Sequence, residues 1–251
     1  MDVTNEIKGF AKSIGSDCVG IADAERLRGA PVGRRPRDIL PGARSVVVMG
    51  LRMLEAVVES LPGPVYMNTG YMTLNAELNR MAYQVAKFIE DRGFRAVPMP
   101  ATRDYDMKEI RGTFSVVHAA VEAGLGEIGL SGLLLTPEYG PRMRFVSVIT
   151  TMELRPDRPM EAGLCTQCGL CVEHCPTRAI GEDVGFDAVR CLSQTMIYTG
   201  QSEEEVRRQI ELLRQIPRPI FIARALVGRN ILPPLCGMCV KVCPVGARKL
   251  K

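Results

Sequence analysis

Apolar residues recur at helical spacing through Asn5-Glu-Ile-Lys-Gly-Phe-Ala-Lys-Ser-Ile-Gly15 and stop at the glycine, which predicts a helix. A short apolar run from Cys18 to Ala22 then reads as a strand. Ser45-Val-Val-Val-Met-Gly50 is continuous and β-branched, set off by Pro41 and Gly42, as expected of a strand covered on both faces. From Thr73 to Arg92 the residues Leu74, Leu78, Met81, Val85, Phe88 and Ile89 share one helical face, Gly93 ends the segment, and Arg95 to Met99 reads as the next strand. A helix over Phe114 to Ala123 runs into Gly124-Leu-Gly-Glu-Ile-Gly129, and Arg144-Phe-Val-Ser-Val-Ile-Thr150 closes the region as a strand. This alternation predicts an α/β (α+β) layer domain over residues 1–155. Pro156, Pro159 and Gly163 mark residues 152–163 as a linker, and residues 156–251 form a second unit. Within it, residues 202–215 read as a solvated helix with Glu203, Glu204 and Glu205 in the first turn.

With 251 residues, 24% charged and 46% hydrophobic, the chain suits one large or two small globular domains. No apolar run is long enough to cross a bilayer, and Met1 to Phe10 lacks the layout of a secretory signal, so a cytoplasmic protein with no membrane partner is expected. The net charge of +4 is uneven: residues 201–251 hold 10 Lys or Arg against 4 Asp or Glu, which points to an acidic partner near that end. With no Trp, 7 Phe and 6 Tyr, base-stacking platforms are not evident and no nucleic-acid partner is expected.

Eight of the nine cysteines follow residue 164, and cytosolic thiols at such spacing suit metal ligation better than disulfides. Cys165-x-x-Cys168-x-x-Cys171-x-x-x-Cys175-Pro176 is the bacterial ferredoxin run, whose fourth cysteine ligates the other cluster of a two-cluster protein. The second run, Cys236-x-x-Cys239-x-x-x-Cys243-Pro244, has three cysteines, and Cys191 supplies the remaining thiolate. Two 4Fe-4S clusters are therefore expected, one on Cys165, Cys168, Cys171 and Cys243, the other on Cys175, Cys191, Cys236 and Cys239. A zinc site would close on four ligands without that exchange of the Cys-Pro thiolate. Cys18, in its apolar strand, reads as an inert thiol.

Gly124-x-Gly126-x-x-Gly129 matches the dinucleotide fingerprint in form, but His118-Ala-Ala-Val-Glu-Ala123 before it reads as helix rather than strand, so NAD binding is not expected. The longer string from Ala123 through Ser131-Gly-Leu-Leu-Leu-Thr-Pro-Glu-Tyr-Gly-Pro-Arg142 to Thr150, followed by the two cysteine runs and by Cys191 within Val189-Arg-Cys-Leu-Ser-Gln194, resembles the epoxyqueuosine reductases and reductive dehalogenases. The resemblance covers nearly the whole chain. It implies a cobalamin-binding, nitroreductase-like domain followed by a ferredoxin-like domain with two 4Fe-4S clusters. It also implies low-potential electron flow to a bound corrinoid that reduces a small substrate, with ferredoxin or flavodoxin as donor and with homodimers, since nitroreductase-like domains commonly pair. Gly124, Gly126, Gly129, Tyr139 and Gly140 become candidate corrin contacts, and Arg142, with Arg144, a candidate contact for a cofactor phosphate.

The chain departs from the family in several places. The acidic proton donor of an Asp-Thr-x-Pro segment is replaced by Met99-Pro-Ala-Thr-Arg-Asp-Tyr-Asp106, which leaves Asp104, Tyr105, Asp106 and His118 as candidate acids. Leu130-Ser131 stands where the family has Lys-Asn, and no tRNA-binding helical repeats follow Cys243 before Lys251, so a queuosine-tRNA substrate is not expected. His174, between cluster ligands, is expected to tune a potential through a hydrogen bond. The competing expectation is an electron-transfer protein that reduces a partner's corrinoid or flavin, such as a corrinoid protein's, without a substrate of its own.

Overall fold

The computed structural model describes residues 2–101, 105–106, 111–181, 185–188, 190–191 and 236–247, with isolated positions between 204 and 212. Helix α1 (Val3–Ser13) is capped by Asp2, whose carboxylate accepts the Thr4 N–H at 3.2 Å. Strand β1 (Cys18–Asp23) follows, then the short helix α2 (Pro36–Ile39), β2 (Ser45–Arg52), α3 (Glu55–Glu59), a π-helical segment (Tyr66–Thr73), α4 (Leu74–Glu90) and β3 (Ala96–Met99). Two-residue strands β4 (Tyr105–Asp106) and β5 (Arg111–Gly112) pair with each other ahead of α5 (Val116–Glu122). Strands β6 (Glu127–Ile128) and β7 (Leu134–Leu135) form a small ribbon, and β8 (Met143–Thr150) completes the main sheet.

That sheet has the order β1-β2-β8-β3, and every pair in it is antiparallel. The expected alternation of strands and helices therefore builds an α+β layer rather than a parallel α/β sheet. The apolar run in β2 faces two cores at once. Val47 and Met49 join Val146 and Val148 of β8 beneath α1 and α4, while Val46 and Val48 join Phe145 and Ile149 beneath α5. Because alternate residues point to opposite faces, a strand covered on both sides must be apolar at every position. Phe10 of α1 stacks on Phe88 of α4 with centroids 4.3 Å apart, and Arg92 lies over the same ring.

The linker is fastened to the sheet. The Asp157 carboxylate accepts the Ile21 N–H at 2.8 Å and the Lys8 ammonium at 2.6 Å, while the Asp157 N–H donates to the Ile21 carbonyl. Arg155 N–H donates to Thr4 Oγ1 and Leu154 N–H to Ser45 Oγ, so the exit from β8 runs back across α1 and β1. Further on, α6 (Leu170–Glu173), the ribbon of β9 (Ile180–Gly181) with β10 (Gly185–Phe186), and α7 (Met238–Lys241) carry the cysteine region. Among the described residues no helix is long and apolar enough to cross a membrane.

Asp157→Ala strips a buried amide, that of Ile21, of its acceptor and should cost about 1–3 kcal/mol in chemical unfolding. Asp157→Asn keeps an acceptor for that amide and should lose less; equal losses would show that the ion pair with Lys8 carries the effect.

Candidate metal centre

The two cysteine runs repeat one local structure. Cys168-Gly169-Leu-Cys171-Val-Glu-His-Cys175-Pro176 and Cys236-Gly237-Met-Cys239-Val-Lys-Val-Cys243-Pro244 match position for position. Gly169 at φ +76° and Gly237 at φ +78° turn the chain in the left-handed region, a one-turn helix follows, and the Cys-Pro pair ends it. Only the first run has a cysteine three positions earlier, Cys165; Pro233 stands in the second, and Cys191 comes from elsewhere in the chain.

Thiol environments group the cysteines. Burial raises the Cys171 thiol, and the charges of Cys165, Cys168 and Cys243 add to it. Cys243 is likewise raised by burial, with Cys168 and Cys165 adding and the Arg142 guanidinium opposing. Around the other set, desolvation and then the charges of Cys236 and Cys175 push Cys191 up to about 11. Cys239 reaches about 12, through burial first and then Cys191, Cys236, Cys175 and Cys171. Cys171 and Cys243 thus feel thiols of the first expected set, Cys191 and Cys239 feel thiols of the second, and Cys171 acts on Cys239 across the two.

A small open pocket is lined by Cys165, Cys168, Cys171 and Cys243, with Cys239 also on its wall. Gly129, Leu130 and Ser131 of the α+β domain border it, and the Leu130 N–H reaches the Cys165 sulfur at 3.5 Å. Elsewhere the Ala179 N–H donates to the Cys175 sulfur at 3.2 Å. Amide donors of this kind stabilise a thiolate.

Two charged side chains hold the head of the first run and the tail of the second by their backbones. The Glu127 carboxylate accepts the N–H groups of Gly163 and Cys165, which also keeps that carboxyl below the usual range. Arg142, 3% exposed, donates to the carbonyls of Cys243 at 2.7 Å, Val245 at 2.9 Å and Lys241 at 3.3 Å. The Lys241 ammonium in turn donates to the carbonyls of Glu59 and Leu61 at the end of α3, and Val240 packs into a third core with Met53, Val57, Leu61 and Tyr66.

Several expected contacts take other partners. The bare face of Gly124 meets the Arg158 carbonyl, that of Gly126 the Leu135 carbonyl, and that of Gly140 the Val245 carbonyl, so these glycines admit the chain's own backbone rather than open a cradle. Gly129 borders the cysteine pocket, but its bare face is filled by the Leu135 side chain, and Tyr139 packs with the core under α5. Arg142 is occupied within the chain. Arg144 lies over the Tyr71 ring and donates to Asn75, so neither arginine presents a free guanidinium to an anion. His118 is exposed on α5 and bonds Ser115, the helix N-cap, at 2.6 Å. His174 Nδ1 pairs with the Leu170 carbonyl at 3.0 Å instead of a cluster thiol. Burial and then Asp17 push Cys18 up to about 12, in keeping with an inert thiol. Tyr105 and Asp106 are described only as backbone in β4, and Asp104 and most of residues 202–215 lie outside the described residues.

A 4Fe-4S binding domain signature matches residues 161–181. An epoxyqueuosine reductase of Synechococcus sp. (strain CC9605) is 31% identical over 229 residues, covering 88% of this chain and 61% of that protein. A tetrachloroethene reductive dehalogenase of Desulfitobacterium hafniense is 36% identical over 111 residues, covering 43% of this chain and 18% of that one. The chain belongs with the epoxyqueuosine reductases and reductive dehalogenases. It spans less than two thirds of the length of these curated relatives. The fold agrees: the epoxyqueuosine reductase of Streptococcus thermophilus superimposes with a TM-score of 0.60 at 23% identity over 98% of this chain and 66% of its own. A catabolic reductive dehalogenase does so at 0.57 and 22%, over 92% of this chain and 37% of its own.

Gly140, at φ +54°, lies against Val245 just beyond Cys243. Gly140→Ala adds left-handed strain of about 1–2 kcal/mol and a clash with backbone that cannot rotate away. Purified anaerobically, that variant should retain a smaller share of its iron than the parent; unchanged iron and unfolding midpoint would contradict the tight seating of this turn.

Proposed function

We propose that the chain holds two 4Fe-4S clusters and relays single electrons between an external donor and an acceptor met beside Gly129 to Ser131. The observation that carries this reading is the pocket lined by Cys165, Cys168, Cys171 and Cys243 directly against that loop. Bound clusters supply one-electron chemistry. The chain's residues supply the rest: two sets of soft thiolates suited to iron, amides of Leu130 and Ala179 that favour the thiolate form, and close apposition of the sets through Cys171 and Cys239. The charge of residues 201–251 suits an acidic donor of the ferredoxin or flavodoxin type.

For the acceptor, the residues expected to cradle a corrin do not fit that role, because Gly124, Gly126 and Gly140 are filled by the chain's own carbonyls and Arg142 is spent on a cysteine turn. This favours an electron-transfer protein that reduces a partner's corrinoid or flavin. A reductase with its own bound corrinoid is the second reading, favoured by the reductive dehalogenase relatives, one of which is solved as a B12-dependent dehalogenase. We propose a small molecule or a partner's cofactor as the acceptor rather than the tRNA stem loop seen with one epoxyqueuosine reductase, since Trp is absent and aromatic residues are sparse.

Anaerobically purified protein should carry about eight irons per chain with matching acid-labile sulfide, and Cys191→Ser should remove about half; full zinc occupancy in place of iron would refute the clusters. Cobalamin added under reducing conditions should elute apart from the protein on gel filtration while the clusters still reduce a corrinoid protein or flavoprotein. Corrin retained near one per chain would instead establish the bound-cofactor reading.

A further inference from the structure

The Arg142 guanidinium is the one strongly buried cation that touches a cysteine turn among the described residues, and it is not isolated. Its Nε lies 3.7 Å from the Glu55 carboxylate, with side chains 4% and 8% exposed. The Nη groups of the guanidinium donate to the carbonyls of Lys241, Cys243 and Val245, while its Nε faces Glu55 at the start of α3. Of the two charges it is thus the positive one that touches the turn carrying Cys243.

We propose that the Arg142–Glu55 pair is a positioning and potential-setting element for the cluster on Cys165, Cys168, Cys171 and Cys243, raising its reduction potential above the value it would have without the guanidinium. This rests on the two-cluster reading. Reduction adds one electron and one negative charge to the cluster without making or breaking a bond, and a fixed positive charge in a poorly solvated site favours the more negative state. The Glu55 carboxylate beside the guanidinium partly cancels that field.

The test is a redox titration of the iron-loaded chain followed by EPR, with each signal assigned through Cys243→Ser and Cys191→Ser. Glu55→Gln keeps every Arg142 hydrogen bond to the turn and should move the midpoint of the Cys243 cluster upward while leaving the other in place. Arg142→Gln should move the same midpoint downward, and Arg142→Lys should stay nearer the parent. Opposite shifts from the two partners are not what loosening of the turn would give. If Arg142→Gln fails to assemble, the Glu55→Gln shift alone decides. Unmoved midpoints in Glu55→Gln, or equal movement of both clusters, would overturn the proposal while leaving the two-cluster reading intact. A parent chain with no reducible cluster at that quartet would remove both.

Discussion

Thiols gathered in a protein repel one another once ionised, so a fold that brings them together must hold them by something else. Here the grip is applied to backbone. Glu127 takes the N–H groups at the head of the first run and Arg142 takes the carbonyls at the tail of the second. An anion on amide hydrogens and a cation on carbonyl oxygens are each the stronger, charge-assisted form of a hydrogen bond. With both turns fixed from outside, the raised thiols have no need of mutual attraction to stay in register, and their protons are given up when metal binds.

The sheet explains why those two residues are available. Glu127 opens β6, and Arg142 is the last residue before β8, whose next positions are locked to β2 through pairs such as Arg52 with Met143 and Val47 with Val148. Arg142 is therefore set by an antiparallel ladder with apolar cores on both faces, not by a mobile loop. Glu55 arrives from the same strand ladder, three residues past the end of β2. The linker adds a second tether through Asp157, which ties the approach to Cys165 back to β1 and α1. Sheet, ribbon and linker thus act on the cysteine region from three directions.

Much of this was legible in the residues themselves. The period of α4 and the unbroken apolar runs of β2 and β8 follow directly from burial of one helical stripe and of both strand faces. Strand direction was not legible, because an apolar run buried on both sides looks alike in parallel and antiparallel sheets. The cysteine spacing points to ligand sets because cluster ligation calls for a local turn, and the same turn recurs at Gly169 and Gly237. Glu127 and Arg142 left no such mark: their partners are backbone groups 36 to 103 residues away, and backbone has no sequence identity to read. The glycine loop is ambiguous for a related reason. A glycine that admits a cofactor and one that admits the chain's own carbonyl, as Gly126 does for Leu135, are the same residue in the same kind of string.

On the proposed two-cluster reading, the closing cysteine of each run belongs with the other run's set. An iron anomalous-difference map from crystals grown without oxygen tests it most directly. Two iron centres should appear, one bonded by Cys165, Cys168, Cys171 and Cys243 beside Gly129 to Ser131, the other by Cys175, Cys191, Cys236 and Cys239. A single centre, or two centres in which Cys175 stays with Cys165, Cys168 and Cys171, would contradict it.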